Sequence, residues 1–139
     1  MKKRRWPAAA VAVMLLFTGC SFGTLKEQKT GEIEYEIVKK EEIPEKLKEE
    51  IAEAEKSEMW ISYADTGNEG RYLYIVRGYG RQETTGYSIE VNECYETEHT
   101  VVVHTTLLGP QKKEKTHKKK TYPYIVIKIP YTDKQIIYE

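Results

Sequence analysis

The chain has 139 residues, of which 32% are charged and 40% hydrophobic, with 22 basic and 22 acidic side chains and only two cysteines. A chain of this length fits a single domain, and two cysteines exclude a fold held together by a framework of several disulfides. The fold must therefore depend on an apolar core.

The N-terminus has the features of an export signal. Basic residues at positions 2–5 precede the apolar run Ala8–Phe17, which is shorter than the about 20 residues needed to span a bilayer. Residues 16–20 (LFTGC) resemble the bacterial lipobox, in which the cysteine is lipidated and becomes the new N-terminus. We predict a lipoprotein signal peptide at residues 1–19 and lipidation of Cys20; the alternative is an ordinary secretory signal with an incidental cysteine.

Lipidation of Cys20 predicts an extracytoplasmic protein anchored to the cell membrane, because each buried methylene of an acyl chain contributes about 0.8 kcal/mol. That location makes cytosolic nucleotides, nucleic acid and reduced cofactors poor partners. Removal of the four basic residues of the leader leaves 22 − 4 = 18 basic against 22 acidic side chains, a net charge of about −4. Residues 20–30 then form the lipidated cysteine and a polar tether, and residues 31–139 a single β-rich domain.

The sequence of the first part of this domain predicts a strand followed by a helix. Residues 31–40 (GEIEYEIVKK) alternate apolar with acidic side chains, which is typical of a half-buried strand. Pro44 opens a charged segment in which Leu47, Ile51 and Ala54 recur at helical spacing. This segment is predicted to be an amphipathic helix with a narrow apolar stripe and a solvated charged face.

The remainder of the chain predicts short strands joined by turns. Together with the helix, they predict a mainly β (α+β) fold: an antiparallel β-sandwich or partial barrel with one N-terminal amphipathic helix. The predicted strands are residues 59–63, 71–77, 87–95, 100–108, 122–129 and 135–138.

A polar, glycine-rich segment, residues 78–87 (GYGRQETTGY), separates two predicted strands. Gly86 permits a positive φ or a close backbone approach, and the hydroxyls of Thr84 and Thr85 can bond to turn amides. We call this segment the elbow. Two interpretations stay open: a stiff hairpin whose Tyr87 begins the next strand, or a loop that presents backbone groups and a tyrosine to a partner.

Charge is unevenly distributed along the chain. Residues 26–70 carry 7 basic and 14 acidic side chains, whereas residues 71–139 carry 11 and 8. Much of the positive charge lies in residues 111–121 (QKKEKTHKKKT), here called the basic loop. This loop either contacts anionic lipid or wall polymer, at about 1 kcal/mol per lysine, or is a solvated loop that keeps sheet edges soluble. Its lysines are Lys112, Lys113, Lys115, Lys118, Lys119 and Lys120.

The sequence has no nucleophile elbow, phosphate-binding loop or paired metal motif. Cys94, His99 and His104 are spaced by five residues, but scattered ligands without a close pair are a weak indication of a zinc site. The glutamates around Cys94 oppose formation of a thiolate, so we predict a structural thiol. The sequence therefore favours a non-catalytic protein with no metal and no cofactor.

Three blocks of sequence resemble, in the same order, the C-terminal domain of the protease complex subunit PrcB family. The resemblance covers about residues 59–139, with Glu83 and Thr85 in place of a proline and a glycine that are common in the family's loop. It implies a lipoprotein that associates with a secreted protease and supports its assembly or stability. The blocks are residues 71–91 (RYLYIVRGYGRQETTGYSIEV), 105–110 (TTLLGP) and 121–130 (TYPYIVIKIP).

A second, shorter resemblance begins with the elbow. Its T-T-G-Y sequence is similar to that of chagasin-type cysteine protease inhibitors, which are β-sandwiches that insert loops into a protease cleft. The later Tyr-Pro-Tyr run is similar to the aromatic third loop of those inhibitors. An inhibitor is thus one alternative to an accessory subunit, and a polymer-binding or lipid-binding module acting through the basic loop is another. The predicted partner contacts are Thr84, Thr85, Gly86, Tyr87, Tyr122, Pro123 and Tyr124.

Overall fold

The structure is a computed structural model that describes residues 27–67 and 70–139. The predicted signal peptide, the predicted lipidation site Cys20 and most of the predicted tether lie outside the described residues. Within the described ranges, none of the helices has the length and apolar character required to cross a bilayer.

The described chain contains eight strands and one α-helix, which begins directly after Pro44. A short 3₁₀ helix at Lys40–Glu42 precedes it. In chain order the elements are β1 (Gly31–Glu32), β2 (Glu36–Ile37), α1 (Glu45–Ala54), β3 (Glu58–Asp65), β4 (Tyr72–Tyr79), β5 (Ser88–Glu96), β6 (Thr100–Leu108), β7 (Tyr124–Pro130) and β8 (Gln135–Tyr138).

The strands form two four-stranded sheets that pack as a sandwich. The first sheet has the order β1-β5-β6-β8 and is antiparallel except for the parallel pair β6 and β8. The second sheet, β2-β7-β4-β3, is antiparallel throughout. The prediction of a mainly β fold with an antiparallel sandwich and one helix is confirmed.

The core between the sheets follows from the alternation of side chains along each strand. Alternate residues of β4 and β7 face alternate residues of β5 and β6, and burial of their apolar area drives the association of the sheets. The buried members are Leu73, Ile75, Ile127 and Ile129 from the second sheet and Cys94, Val101 and Val103 from the first.

Helix α1 covers the outer face of the second sheet and forms a separate apolar cluster there. Leu47 and Ile51 are 0% and 3% exposed, and Ala54 packs against the same cluster. The predicted apolar stripe is therefore the buried face of the helix. The sheet residues beneath it are Met59, Tyr74, Val76 and Val126.

The prediction of one continuous strand over residues 31–40 is wrong. The segment instead crosses from one sheet to the other, because β1 pairs with β5 whereas β2 pairs with β7. Ile33 packs between the sheets, but Tyr35 and Ile37 are exposed. The alternating pattern arises here from a connection at the sandwich edge and not from one half-buried strand.

The strands place the connecting loops at two opposite ends of the sandwich. One end, here called the basic end, carries the elbow and the basic loop, which leave β4 and β6 respectively. The other end, here called the tether end, carries Glu27 and the turn at residues 97–99 between β5 and β6. The nine residues of β6 separate the two ends by about 27 Å.

Candidate functional site

The elbow and the basic loop are hydrogen-bonded to each other at the basic end. The amide of Thr85 donates to the carbonyl of His117 (3.1 Å), and the amide of His117 donates to the hydroxyl of Thr85 (3.0 Å). The hydroxyl of Thr121 donates to the carbonyl of Thr84 (2.8 Å). Gln82 and Thr121 also exchange two backbone hydrogen bonds of 2.8 and 2.9 Å. The two segments thus form one surface.

Gly86 is a position of close contact between the elbow and the segment that contains Pro110 and the basic loop. Its φ is +98°, as its place in the elbow predicts for glycine. A Cβ atom added to Gly86 would lie 2.8 Å from Cβ of Pro110, 3.1 Å from Oε2 of Glu114 and 3.3 Å from Cγ2 of Thr116. Glycine is therefore required both by the backbone conformation and by the contact with the loop.

The basic loop forms the most exposed part of the basic end, and residues 84–87 of the elbow are less exposed. All residues at positions 111–120 are exposed, whereas Thr84, Thr85, Gly86 and Tyr87 are half-buried. None of the six lysines of the basic loop forms a salt bridge with another described residue. The elbow therefore acts as a support for the loop, and its role in partner binding stays a prediction.

The Tyr-Pro-Tyr run is divided between the basic end and the helix. The carbonyl of Pro123 accepts a hydrogen bond from the amide of Tyr79 (3.1 Å), which extends the pairing of β4 and β7. Tyr124 lies beside α1, with Nζ of Lys40 5.3 Å from its ring centroid, and burial raises the pKa of Tyr124. Tyr122 instead lines a surface cleft of about 550 Å³ together with Lys56, Arg81 and Lys120.

Sequence reasoning missed Lys56 and Arg81 as members of this cleft. Lys56 follows α1 and Arg81 lies in the elbow, so no local pattern joins them. The one residue in the sequence that points to this contact is Gly80, whose φ in the structure is +74°. A Cβ atom at Gly80 would lie 3.3 Å from the backbone nitrogen of Glu58 and from the backbone carbon of Ser57. This close approach sets the elbow against the turn that carries Lys56.

The three residues that raised the question of a metal site are separated. Cys94 is 4% exposed in the core between the sheets, and burial, with a smaller contribution from the charge of Glu32, raises its pKa to about 11. Cys94 pairs with Val103, so the neighbouring His104 of β6 faces away from the thiol. Within the described ranges, no group of three or more His, Cys, Asp or Glu side chains is placed to hold a metal ion.

His99 lies at the tether end, where it helps to hold the start of the described chain. Its Nδ1 lies 2.7 Å from Oε2 of Glu27, and the hydroxyl of Thr97 donates to Oε1 of Glu27 (2.7 Å). The hydrogen bond between Glu27 and His99 lowers the pKa of the Glu27 carboxyl and raises the pKa of the His99 imidazole. The amide of Thr30 also donates to the carbonyl of Glu96 (2.8 Å). The chain therefore enters the domain at the end opposite the basic loop.

In a comparison with known protein families, the part of the chain that contains the basic end matches a family model. The family model described as PrcB C-terminal matches residues 73–130, which run from β4 to β7 and include the elbow and the basic loop. No curated protein and no solved structure shows a significant match to the chain. The resemblance to the PrcB C-terminal domain family predicted from the sequence blocks is therefore supported by a family-model match over residues 73–130.

Proposed function

We propose that this protein is a lipid-anchored, extracytoplasmic and non-catalytic accessory subunit of a protease complex. The match of residues 73–130 to the PrcB C-terminal domain is the observation that carries the proposal, because that domain fits an accessory subunit of such a complex. The LFTGC sequence at residues 16–20 supports lipidation of Cys20. The buried thiol of Cys94, with its raised pKa, supports a role other than that of a nucleophile.

The basic end is the surface we propose for the protein partner. Its lysines are exposed, and the hydrogen bonds of His117 and Thr121 to the elbow hold the loop in place. A loop that is already ordered loses less conformational entropy on binding than a free one. A field of positive charge favours an acidic patch on the partner and speeds the encounter. The proposed contact residues are the basic-loop lysines, with Thr84–Tyr87 and Tyr122 next to them.

The position of the predicted anchor fits this assignment. Six residues lie between Cys20 and Glu27, so the two are seven Cα–Cα steps apart and at most about 25 Å from each other. Glu27 is bound at the tether end through Thr97 and His99. A chain anchored at Cys20 is therefore attached to the membrane through its tether end, which leaves the basic end on the opposite side of the domain.

A loop-inserting inhibitor is the second candidate. Its support is that the elbow and Pro123 lie at the same end of one sandwich, as insertion of two loops into a cleft requires. Against it, the amide of Thr85 and the carbonyl of Thr84 are bonded to the basic loop and not free for a protease. The accessory role is therefore the better supported of the two.

Affinity purification of the full chain from detergent-solubilised membranes tests the proposal. We expect a protease or protease-complex subunit to copurify with the wild type and to be lost from a charge-reversed basic loop (K112E/K113E/K115E). The triple variant K39E/K40E/K46E is the control, because it changes the net charge equally at exposed lysines away from the basic loop.

Two outcomes would contradict the proposal: recovery of no protease with the folded, anchored wild type, or equal loss in the control variant. The proteolytic activity of the purified complex separates the two candidates. An accessory subunit leaves the bound protease active, whereas an inhibitor abolishes its activity.

A further inference from the structure

We propose that the cleft lined by Lys56, Arg81, Lys120 and Tyr122 binds a phosphate group carried by an anionic polymer of the cell envelope. The cleft has a volume of about 550 Å³, and three of its four lining side chains are cationic. Phosphate binding follows from this arrangement alone. Only the location of the ligand in the envelope rests on the proposed function.

The three cations come from distant parts of the chain and are brought together by backbone contacts. On one side, the tight approach of Gly80 to Ser57 and Glu58 sets Arg81 beside the turn that contains Lys56. On the other, the paired backbone hydrogen bonds between Gln82 and Thr121 form an antiparallel bridge, which sets Arg81 opposite Tyr122 and Lys120 opposite Glu83 on the same side of the pair. The fold thus fixes the positions from which these side chains extend. The remaining lysines of the basic loop do not line the cleft.

Like charges held near one another repel, and a bound anion relieves that repulsion. Neither Lys56 nor Lys120 forms a salt bridge with another described residue. Arg81 is paired only through Nε, which lies 3.3 Å from Oε2 of the exposed Glu83. Its terminal guanidinium nitrogens are thus available to phosphate oxygens, which they bind in a bidentate manner. Tyr122 completes the lining of the cleft.

The surroundings of the cleft favour a polymer over a lipid headgroup as the source of the phosphate. The exposed Lys118 and Lys119 directly precede Lys120 in the chain and give a repeating anion further points of attraction. The cleft also lies at the opposite end of β6 from Glu27 and the predicted anchor. An anchored molecule therefore carries the cleft on the side of the domain opposite its attachment to the membrane.

Titration of the full chain, in uncharged detergent, with inorganic tripolyphosphate tests the cleft. We expect saturable binding, with a Kd about threefold to tenfold higher in each of K56Q, R81Q and K120Q. The variant E83Q removes the carboxylate that competes for Arg81, so its affinity should equal or exceed that of the wild type. The control is K112Q, which removes a lysine of the same loop that does not line the cleft.

An effect of K112Q equal to that of K120Q would overturn the proposal, because it would show diffuse attraction by surface charge and not a site. Weaker binding by E83Q would overturn it as well. Unchanged thermal unfolding of each variant ensures that loss of binding is not loss of fold; a variant that fails this criterion is replaced by the corresponding methionine variant.

The source of the phosphate is tested with the full chain reconstituted into vesicles. We expect the tripolyphosphate affinity to be the same in phosphatidylcholine vesicles and in vesicles that also contain phosphatidylglycerol. A lower affinity with phosphatidylglycerol would show that headgroups occupy the cleft and would overturn the polymer assignment. If a protease copurifies but tripolyphosphate does not bind, the phosphate site is refuted and the proposed subunit role stands. If tripolyphosphate binds but no protease copurifies, the subunit role is refuted and the phosphate site stands.

Discussion

Replacement of Leu47 by alanine (L47A) is expected to lower the free energy of unfolding by about 2–5 kcal/mol. Leu47 is 0% exposed and lies in the cluster that joins α1 to the second sheet. Truncation of its side chain removes apolar contacts and leaves a cavity under the helix. Because α1 lies outside the matched residues 73–130, the variant also measures whether the helix is an integral layer of this domain. Denaturant-induced unfolding is the measurement.

The matched control is E53A on the solvated face of the same helix. Glu53 is exposed, so a change within about 0.5 kcal/mol is expected. Equal, small effects of L47A and E53A would show that the helix contributes little to the folded domain and would contradict the packing described above.

Replacement of Gly86 by alanine (G86A) is expected to destabilise the protein by about 1–3 kcal/mol and to release the basic loop from the elbow. The backbone of Gly86 has a positive φ, and the new Cβ atom would collide with Pro110. Hydrogen exchange at the amides of Thr85 and His117 measures the release, because both amides are hydrogen-bonded between the two segments. We expect both to lose protection.

Gly109 offers a control close to the same contact. An added Cβ atom there meets only Cε1 of Tyr87, at an ordinary contact distance of 3.7 Å. G109A should therefore leave the protection of Thr85 and His117 unchanged. Unchanged protection in G86A as well would contradict the close packing of the basic loop on the elbow.

Structure is predicted most accurately from the sequence where the pattern of apolar residues depends on a single helix or strand. The spacing of Leu47, Ile51 and Ala54 specifies the buried face of α1, and that face is the one found. The strand predicted at residues 100–108 is also found, and its apolar run Val101–Val103 is buried. The alternation in residues 31–40 led to a wrong prediction of one strand. The segment contains β1 and β2, which pair in different sheets, and nothing in its own sequence specifies those partners.

The candidate site could be predicted only in part, for the same reason. The glycine and threonines of the elbow indicate a turn, but their sequence does not reveal that His117 occupies the hydrogen-bonding groups of Thr85. The lysines of the basic loop are evident from composition. The meeting of Lys120 with Lys56 and Arg81 depends on contacts between segments more than 20 residues apart along the chain.

Site-specific photocrosslinking in the native membrane tests most directly whether the basic end binds the partner. A photoreactive residue at Glu83 lies on the exposed part of the elbow, and one at Asp133 is equally exposed but lies at the tether end. The proposal predicts that a protease-complex subunit is captured from position 83 and not from position 133. Capture from position 133 alone, or from neither position with the protein folded and anchored, would contradict it.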